Sequence, residues 1–490
     1  MNFNFRTVTF IFFIGIVCCW SCRDDDFNTS GDVTLQFSSD TLRLDTVFTE
    51  RGSATYVLKV YNPSDDNIMI GSVRLLDDSG FFRLNVDGVN GNVANDVPIY
   101  ANDSIYVFCE VTIDPDQPLS VSPFIIQDRI EFSTNGNVQI VHLEAWGQNA
   151  NYFPLRSNQK NVARLTCNNG EVVWDDEKPY VIYGVVFIDS CTLRIVEGRK
   201  IYVHGGIVNN DLGVYNDGIL FTLPDGKLRI DGTKDNPVII QDDRLEPQFE
   251  DAPGQWAAIR FGPTSRGHRI NHTIIKNSIV GIQLDSLSEA DLNSVEILNT
   301  AGSGVVSTHA NLDMVNCLIH NTNGTSVSVR HGGFARIKYC TFSNYGNESP
   351  AVSINNFRCY DPLCSSSDVN TANVKITNTI MAGDDRDEIA LIDGTSEGPV
   401  DFIYTIENSL YRATTILDDV PDFLDNCIDC IELNSNAALF VNRRQLDFHL
   451  DTLSQVEGLA MPIPIVTIDR DEQPRDLVNP DMGCYEFIGL

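Results

Sequence analysis

Four asparagines recur through the middle of the chain, Asn277, Asn299, Asn321 and Asn344, at spacings of 22, 22 and 23 residues. Each closes a similar phrase: Thr-Ile-Ile-Lys-Asn, Val-Glu-Ile-Leu-Asn, Cys-Leu-Ile-His-Asn and Cys-Thr-Phe-Ser-Asn. A fixed period of this size marks a stacked repeat, whose units bury their apolar faces only against their neighbours. Aligned on the asparagines, Thr273, Val295, Cys317 and Cys340 form one row, and Ile275, Ile297, Ile319 and Phe342 form another two residues on. Alternate residues of a strand point to opposite sides, so both rows point inward, while Ile274, Glu296, Leu318 and Thr341 point outward. A second strand repeats as Gly281-Ile-Gln-Leu, Gly304-Val-Val-Ser, Ser326-Val-Ser-Val and Ala351-Val-Ser-Ile. A third includes Leu292, Met314 and Ile337. Three short strands per repeat describe one coil of a parallel β-helix, with coils about 4.8 Å apart. The asparagines fall at one corner, where stacked amides bond one another and the turn backbone. Their expected role is structural.

Less regular coils precede these at Tyr180-Val-Ile-Tyr-Gly-Val-Val-Phe, Leu193-Arg-Ile-Val and Leu228-Arg-Ile-Asp-Gly. Gly232-Thr-Lys-Asp-Asn-Pro-Val-Ile-Ile240, a loop, and then Gly254-Gln-Trp-Ala-Ala-Ile259 resemble bacterial right-handed parallel β-helix proteins of the pectate-lyase-like class. The resemblance covers residues 178–412. It implies a fold that carries lyases, hydrolases, binding proteins and passive stalks alike. Phe448-His-Leu450, Asp469-Arg-Asp-Glu-Gln-Pro-Arg475 and Asp481-Met-Gly-Cys-Tyr-Glu-Phe487 are similar to the C-terminal segment of many secreted β-helix proteins. By that likeness residues 413–490 continue the helix and cap its open end.

Residues 33–149 read differently. Ala54–Tyr61, Ser104–Ile113, Asp128–Ser133 and Val138–Ala145 alternate apolar and polar residues, with turns at Asn62-Pro63 and Asn135-Gly136. Such a run of short strands suggests an antiparallel two-sheet sandwich. The order of signals, ending in Leu143-Glu-Ala-Trp-Gly147, resembles immunoglobulin-like domains of the ASPM/SPD-2/Hydin type, which implies a spacer or interaction module. The fold class expected is therefore all-β: an antiparallel sandwich, a linker over 150–177, and a right-handed parallel β-helix with a C-terminal cap.

At the N-terminus, Arg6 and the apolar run from Phe10 to Val17 form a secretory signal over residues 1–21, too short to serve as a membrane span. Trp20-Ser21-Cys22 resembles a lipobox, which implies cleavage before Cys22 and acylation of its thiol. Residues 22–32 then form an acidic tether. Arg23-Asp24-Asp25-Asp26 looks like the export signal that places lipoproteins on the surface of certain Gram-negative bacteria. The expected location is the outer membrane, facing outward and held by the lipid. A formal net charge of −33 gives no basic footprint for nucleic acid. An oxidising compartment permits disulfides, and the close pairs Cys359/Cys364 and Cys427/Cys430 are the candidates.

The sequence offers two candidate chemistries. Arg260, Asp285 and Arg330 fall on outward rows of the second strand, and His331 sits at its end. They are the residues a polysaccharide lyase or glycoside hydrolase would use in a groove: a base and a cation for uronate elimination, or paired carboxylates for hydrolysis. Arg330-His331-Gly332-Gly333 and Arg336-Ile-Lys338 resemble two motifs of pectin-type hydrolases, but the Asn-Thr-Asp motif of that family is missing. Asp384, Asp385, Asp387 and Glu388 form an acidic run of the kind calcium accepts; no other cofactor is expected. Without a coherent catalytic set, the reading favoured is a stalk or binding face for a polysaccharide or an envelope protein. Enzymatic cleavage is the alternative.

Overall fold

The computed structural model describes residues 26–48, 55–77, 80–112, 124–154, 162–167, 170–210, 213–394, 400–434 and 438–489. The signal segment, Cys22 and the first residues of the tether lie outside them. The chain divides into two compact units, Met1–Asn149 and Ala150–Leu490. It is all-β: an antiparallel sandwich followed by a parallel β-helix.

The first unit has two five-stranded sheets. One runs in the order Gln36–Phe37, Tyr56–Tyr61, Ser104–Val111, Phe82–Val86, Val89–Asn90. The other runs Thr41–Phe48, Asn137–Gln148, Phe124–Thr134, Ile68–Leu75, Val93–Ile99. All neighbours are antiparallel except Thr41–Phe48, which lies parallel to Asn137–Gln148. Strand alternation sets the layers: Ile105, Val107, Cys109 and Val111 are buried against Phe132, Val141 and Leu143, and Tyr106, Phe108 and Glu110 take the opposite side.

In the second unit each full coil contributes one strand to each of three faces, called A, B and C here. Face A is an eleven-stranded parallel sheet that includes Thr273–Lys276, Glu296–Thr300, Leu318–Thr322, Thr341–Asn344 and Ile380–Gly383. Faces B and C belong to a seventeen-stranded sheet folded at a corner. Face B holds Ala258–Phe261, Ile282–Leu284 and Val352–Asn355; face C holds His268–Asn271, Glu289–Asn293 and Ala372–Thr377. Val305–Val315 and Val327–Lys338 run round that corner and serve both. The inward rows close into one core: Val295, Cys317 and Cys340 stack as do Ile275, Ile297, Ile319 and Phe342, all at most 1% exposed.

The corner asparagines act through their backbone first. Asn277, Asn299 and Asn321 have φ of 66°, 54° and 52°, the left-handed region that Asn tolerates because its short side chain bonds locally. Only one bond joins two of the four amides, Asn321 Nδ2 to Asn299 Oδ1 at 3.4 Å. The others reach the adjoining loops or the neighbouring coil. Asn277 Nδ2 donates to Asp242 Oδ1 at 2.7 Å and to two loop carbonyls, Asn299 Nδ2 donates to Asp251 at 2.9 Å, and Asn344 Oδ1 accepts from Thr322 at 2.8 Å. A continuous amide ladder is therefore not what holds the corner. The corner between faces C and A has its own left-handed set, including Asn316, Asn378 and Asn408.

Two boundaries differ from expectation. The stretch 150–177 is the first coil, not a linker: Asn151–Phe153, Val162–Leu165 and Glu171–Trp174 pair in parallel with Tyr180–Tyr183, Val185–Ile188 and Thr192–Val196. A disulfide, Cys167–Cys191, ties this coil to the next with a Cα–Cα distance of 5.5 Å. Its strands are three or four residues long and separated by polar segments, too short to show a period on their own. The C-terminal segment is the second difference. The last coil is closed by Ile416–Asp419 and the turns after it, whose Ile416 and Phe423 enter the coil core. Residues 438–489 instead run along the outside of face A as a strap.

The strap explains the outward row of face A. Leu318, Thr341, Ile380 and Leu410 point away from the coil yet are at most 1% exposed, under Leu450, Val456, Met482 and Cys484. Glu296 in the same row accepts from His320 Nε2 at 3.1 Å and pairs with Arg470. Burial alone would raise its pKa, but the His320 hydrogen bond and the Arg470 charge outweigh that and hold it at about 2. Arg475 is 4% exposed, donates to Asn316 Oδ1 at 2.9 Å and to Gly483 O at 3.0 Å, and lies 3.9 Å over the Tyr339 ring. Gly483 has φ of 92°, and a Cβ there would come within 2.6 Å of Ile380 Cδ1 and 2.7 Å of Thr341 Oγ1. Gly483→Ala should therefore lift the strap, destabilising the protein by about 1–3 kcal/mol. Limited proteolysis should then cut within 460–489 well before the coils; unchanged melting and cutting would refute this seating.

Candidate functional site

The four residues proposed for catalysis lie on or beside face B and do not converge. Arg260 Nε donates to Asp285 Oδ2 at 2.7 Å, and Gln283 Nε2 donates to Asp285 Oδ1 at 3.1 Å, which occupies both carboxylate oxygens. Register pairs Leu284 with Ser307 and Thr308 with Arg330, so Arg330 is two rungs from Asp285, roughly 10 Å at strand spacing. Arg330 Nε donates to Ser328 Oγ at 2.9 Å. His331 has φ of 58° and turns the corner; its Nε2 lies 2.6 Å from Asp368 Oδ1 and 2.8 Å from Asn370 Nδ2. Asp368 belongs to the hairpin Phe357–Cys359/Ser367–Val369, spanned by the Cys359–Cys364 disulfide. The corner neighbour His309 stands 5.8 Å from the His331 ring, and burial and that ring lower its pKa. The set thus forms a closed ion pair and a separate histidine–aspartate contact, with no acid facing a base across a groove.

The acidic run 384–388 is dispersed in the same way. Asp384 accepts from Gly346 N at 2.9 Å, Asp385 from Arg386 N at 2.7 Å, and Asp387 from Thr414 N and Thr415 N at the start of the short helix. Glu388 is fully buried, accepting from Ala351 N at 3.0 Å and Asp385 N at 3.1 Å. Among the described residues, no three His, Cys, Asp or Glu side chains come together as a metal site. Each carboxylate is spent on a turn. Cys427–Cys430 is bonded as well, while Cys109, Cys317, Cys340 and Cys484 are free and buried.

An open depression lies on face C. A cavity of about 490 Å³ is lined by Glu289, Asn311, Asp313, Phe334, Arg336 and Asn373. Register places Glu289, Asn311, Phe334 and Asn373 on successive coils, with Asp291, Asp313, Arg336 and Lys375 in the row beside them. Phe334 is 53% exposed, between two amides one rung away on either side. The charged row pairs along itself: Arg269–Asp291 at 3.7 Å, Arg336–Asp313 at 2.6 Å and, to the next row, Lys375–Glu407 at 2.9 Å. Hydrogen bonding to Asp313 holds the Arg336 guanidinium above its usual pKa. An exposed ring flanked by planar amides and neutralised charges suits the C–H face and hydroxyls of a sugar. The carboxylates of the charged row, Asp291 and Asp313, already have cationic partners, and Glu289 lies in the row beside them.

Phe334 was missed in the sequence although its signal was present. Ala335 and Ile337 are core positions, so strand alternation turns Phe334, Arg336 and Lys338 outward. Trp256, the more conspicuous aromatic, is 1% exposed and donates its Nε1 to Lys276 O at 2.9 Å.

No protein-family model matches this chain, and no curated protein matches it. Among solved structures it is similar to a protein of unknown function from Porphyromonas gingivalis W83, at 14% identity and a TM-score of 0.18, covering 28% of this chain and 59% of that one. A family 123 glycoside hydrolase from Clostridium perfringens matches at 9% identity and a TM-score of 0.20, covering 40% of this chain and 48% of that one. The catalytic unit of a GH87 alpha-1,3-glucanase from Streptomyces thermodiastaticus strain HF3-3 matches at 10% identity and a TM-score of 0.19, covering 72% and 79%. This chain spans less than two thirds of the first two. At such scores the likeness says nothing of what this chain binds or cleaves.

Burial gives Glu388 a testable signature. Desolvation raises its carboxyl to about 8, against its two backbone donors. The folded state therefore holds a proton that the unfolded chain releases near pH 4.5. Stability from this group is complete below that pH and is lost as pH rises to about 8. Melting temperatures across this range should fall more steeply for the wild type than for Glu388→Gln. Parallel profiles would show that Glu388 is ionised in the fold.

Proposed function

We propose that this protein is a lipid-anchored β-helix of the outer membrane that binds a polysaccharide along face C without cleaving it. The observation that carries the reading is Phe334, exposed between Asn311 and Asn373 beside an ion-paired row. Aromatic stacking against a sugar ring and amide contacts to its hydroxyls supply affinity, and the stacked coils repeat the polar positions at each rung. An open, shallow groove suits an internal stretch of a long chain rather than a chain end. The closed Arg260–Asp285 pair and the separate Arg330 and His331 contacts support binding over the lyase or hydrolase alternative.

The anchor belongs to the same proposal and rests on Cys22 and the acidic residues that follow it. Cys22→Ser should move the protein from the outer-membrane fraction to the soluble fraction. Retention in the membrane would refute the lipid anchor.

Residues 23–490 should retain a subset of polysaccharides on an array and leave their chain length unchanged. Phe334→Ala, an exposed substitution, should weaken retention about five- to tenfold with an unaltered melting temperature. Progressive shortening of a polysaccharide, abolished by Arg330→Ala, would replace this reading with the enzymatic one.

A further inference from the structure

The sandwich carries a second candidate recognition surface. On the outer side of the sheet containing Ser104–Val111, a cavity of about 720 Å³ is lined by Thr55, Arg83, Asn85, Asn90, Phe108 and Glu110, among others. Half-buried Phe108 is its floor, between Val57 on one neighbouring strand and Asn85 on the other. Tyr106 is 46% exposed and stacks on Phe108, with ring centroids 6.2 Å apart and planes 25° apart. The apolar strip therefore extends beyond the cavity.

The polar rim is ordered before any ligand arrives. Asn85 Oδ1 accepts from Gly88 N at 2.9 Å, and Asn85 Nδ2 donates to Asn90 Oδ1 at 2.5 Å. The oxygen of Asn90 is thereby engaged and its amino group is left to donate. Thr55 Oγ1 donates to Glu110 Oε1 at 2.9 Å, which fixes that carboxylate at the opposite rim. Arg83 stands opposite Glu110 in register, so the lining carries one positive and one negative charge. On a chain with a net charge of −33, the cavity lining is balanced, with the Lys59 ammonium 5.5 Å over the Tyr106 ring beside it.

We propose that this face of the sandwich is an independent binding site for an uncharged oligosaccharide. A ring floor takes the apolar face of a sugar, and prearranged amide, hydroxyl, guanidinium and carboxylate groups take its hydroxyls. Charge selects the class: the balanced rim gives no net attraction for a uronate or sulfated chain, and the surrounding negative field repels one. The inference does not depend on the face C reading, because it uses the other unit and other residues.

The test uses residues 23–490 carrying Phe334→Ala, so that face C does not contribute. Short gluco-, manno- and N-acetylglucosamine oligosaccharides are titrated by calorimetry, with oligogalacturonate as the charged comparison. At least one neutral series should bind, and oligogalacturonate should not. Adding Phe108→Ala or, at the exposed rim, Asn90→Ala should each weaken that binding about five- to tenfold. The Asn90 variant guards against loss of fold at Phe108, and both are checked by melting temperature. The proposal is overturned by no neutral binding, by preference for oligogalacturonate, or by binding that neither substitution changes. Self-association that Phe108→Ala abolishes would also overturn it, because a second copy would then be the occupant.

Discussion

Every feature of the second unit depends on one constraint: a coil of this chain can bury its inward residues only against the coils above and below. Val295, Cys317 and Cys340 make contacts because they lie at equivalent positions one rung apart, and so do Ile297, Ile319 and Phe342. A shift of one residue in one strand would turn these side chains outward and break the core on both sides. Left-handed residues at the corners keep the rungs in phase by making each turn in few residues. The same phase fixes the outward rows, which is why outward positions on faces B and C repeat so regularly.

The strap follows from the same constraint. Face A has an outward row too apolar for water, with Leu318, Ile380 and Leu410 in line. The C-terminal segment covers it, and two of its arginines reach partners on the coils: Arg470 to Glu296, and Arg475 to Asn316 and the Tyr339 ring. These are buried, paired charges, although the Nε of each is left without a hydrogen-bond partner, and such pairs are costly to break from one side. Face A is thus covered, and the acidic run 384–388 is used in turns.

The stacked architecture was legible because the rows around the asparagines repeat without interruption from Thr273 to Asn344. Inward rows, the corner position and the sandwich strands could all be read from alternation alone. The first coil was not legible, since Asn151–Phe153 and Val162–Leu165 are too short to display a period. The end cap expected from sequence is a strap instead, because sequence does not say which surface a nonperiodic segment covers; the apolar outward row of face A is its one sequence signal. The site was harder still. Arg260, Asp285, Arg330 and His331 were chosen for their chemistry, and side-chain pairing then removed them from one another. Phe334 falls on an outward row by the same alignment, among charged neighbours that carry more obvious chemistry.

Recognition without cleavage is the central claim, and it predicts where a bound chain lies. The most direct measurement is a crystal structure of residues 23–490 soaked with an oligosaccharide that the protein retains. The account predicts an intact chain across the Phe334 ring, with hydroxyls on Asn311 or Asn373. A sugar seated instead between Asp285, Arg330 and His331, with a broken glycosidic bond, would contradict it.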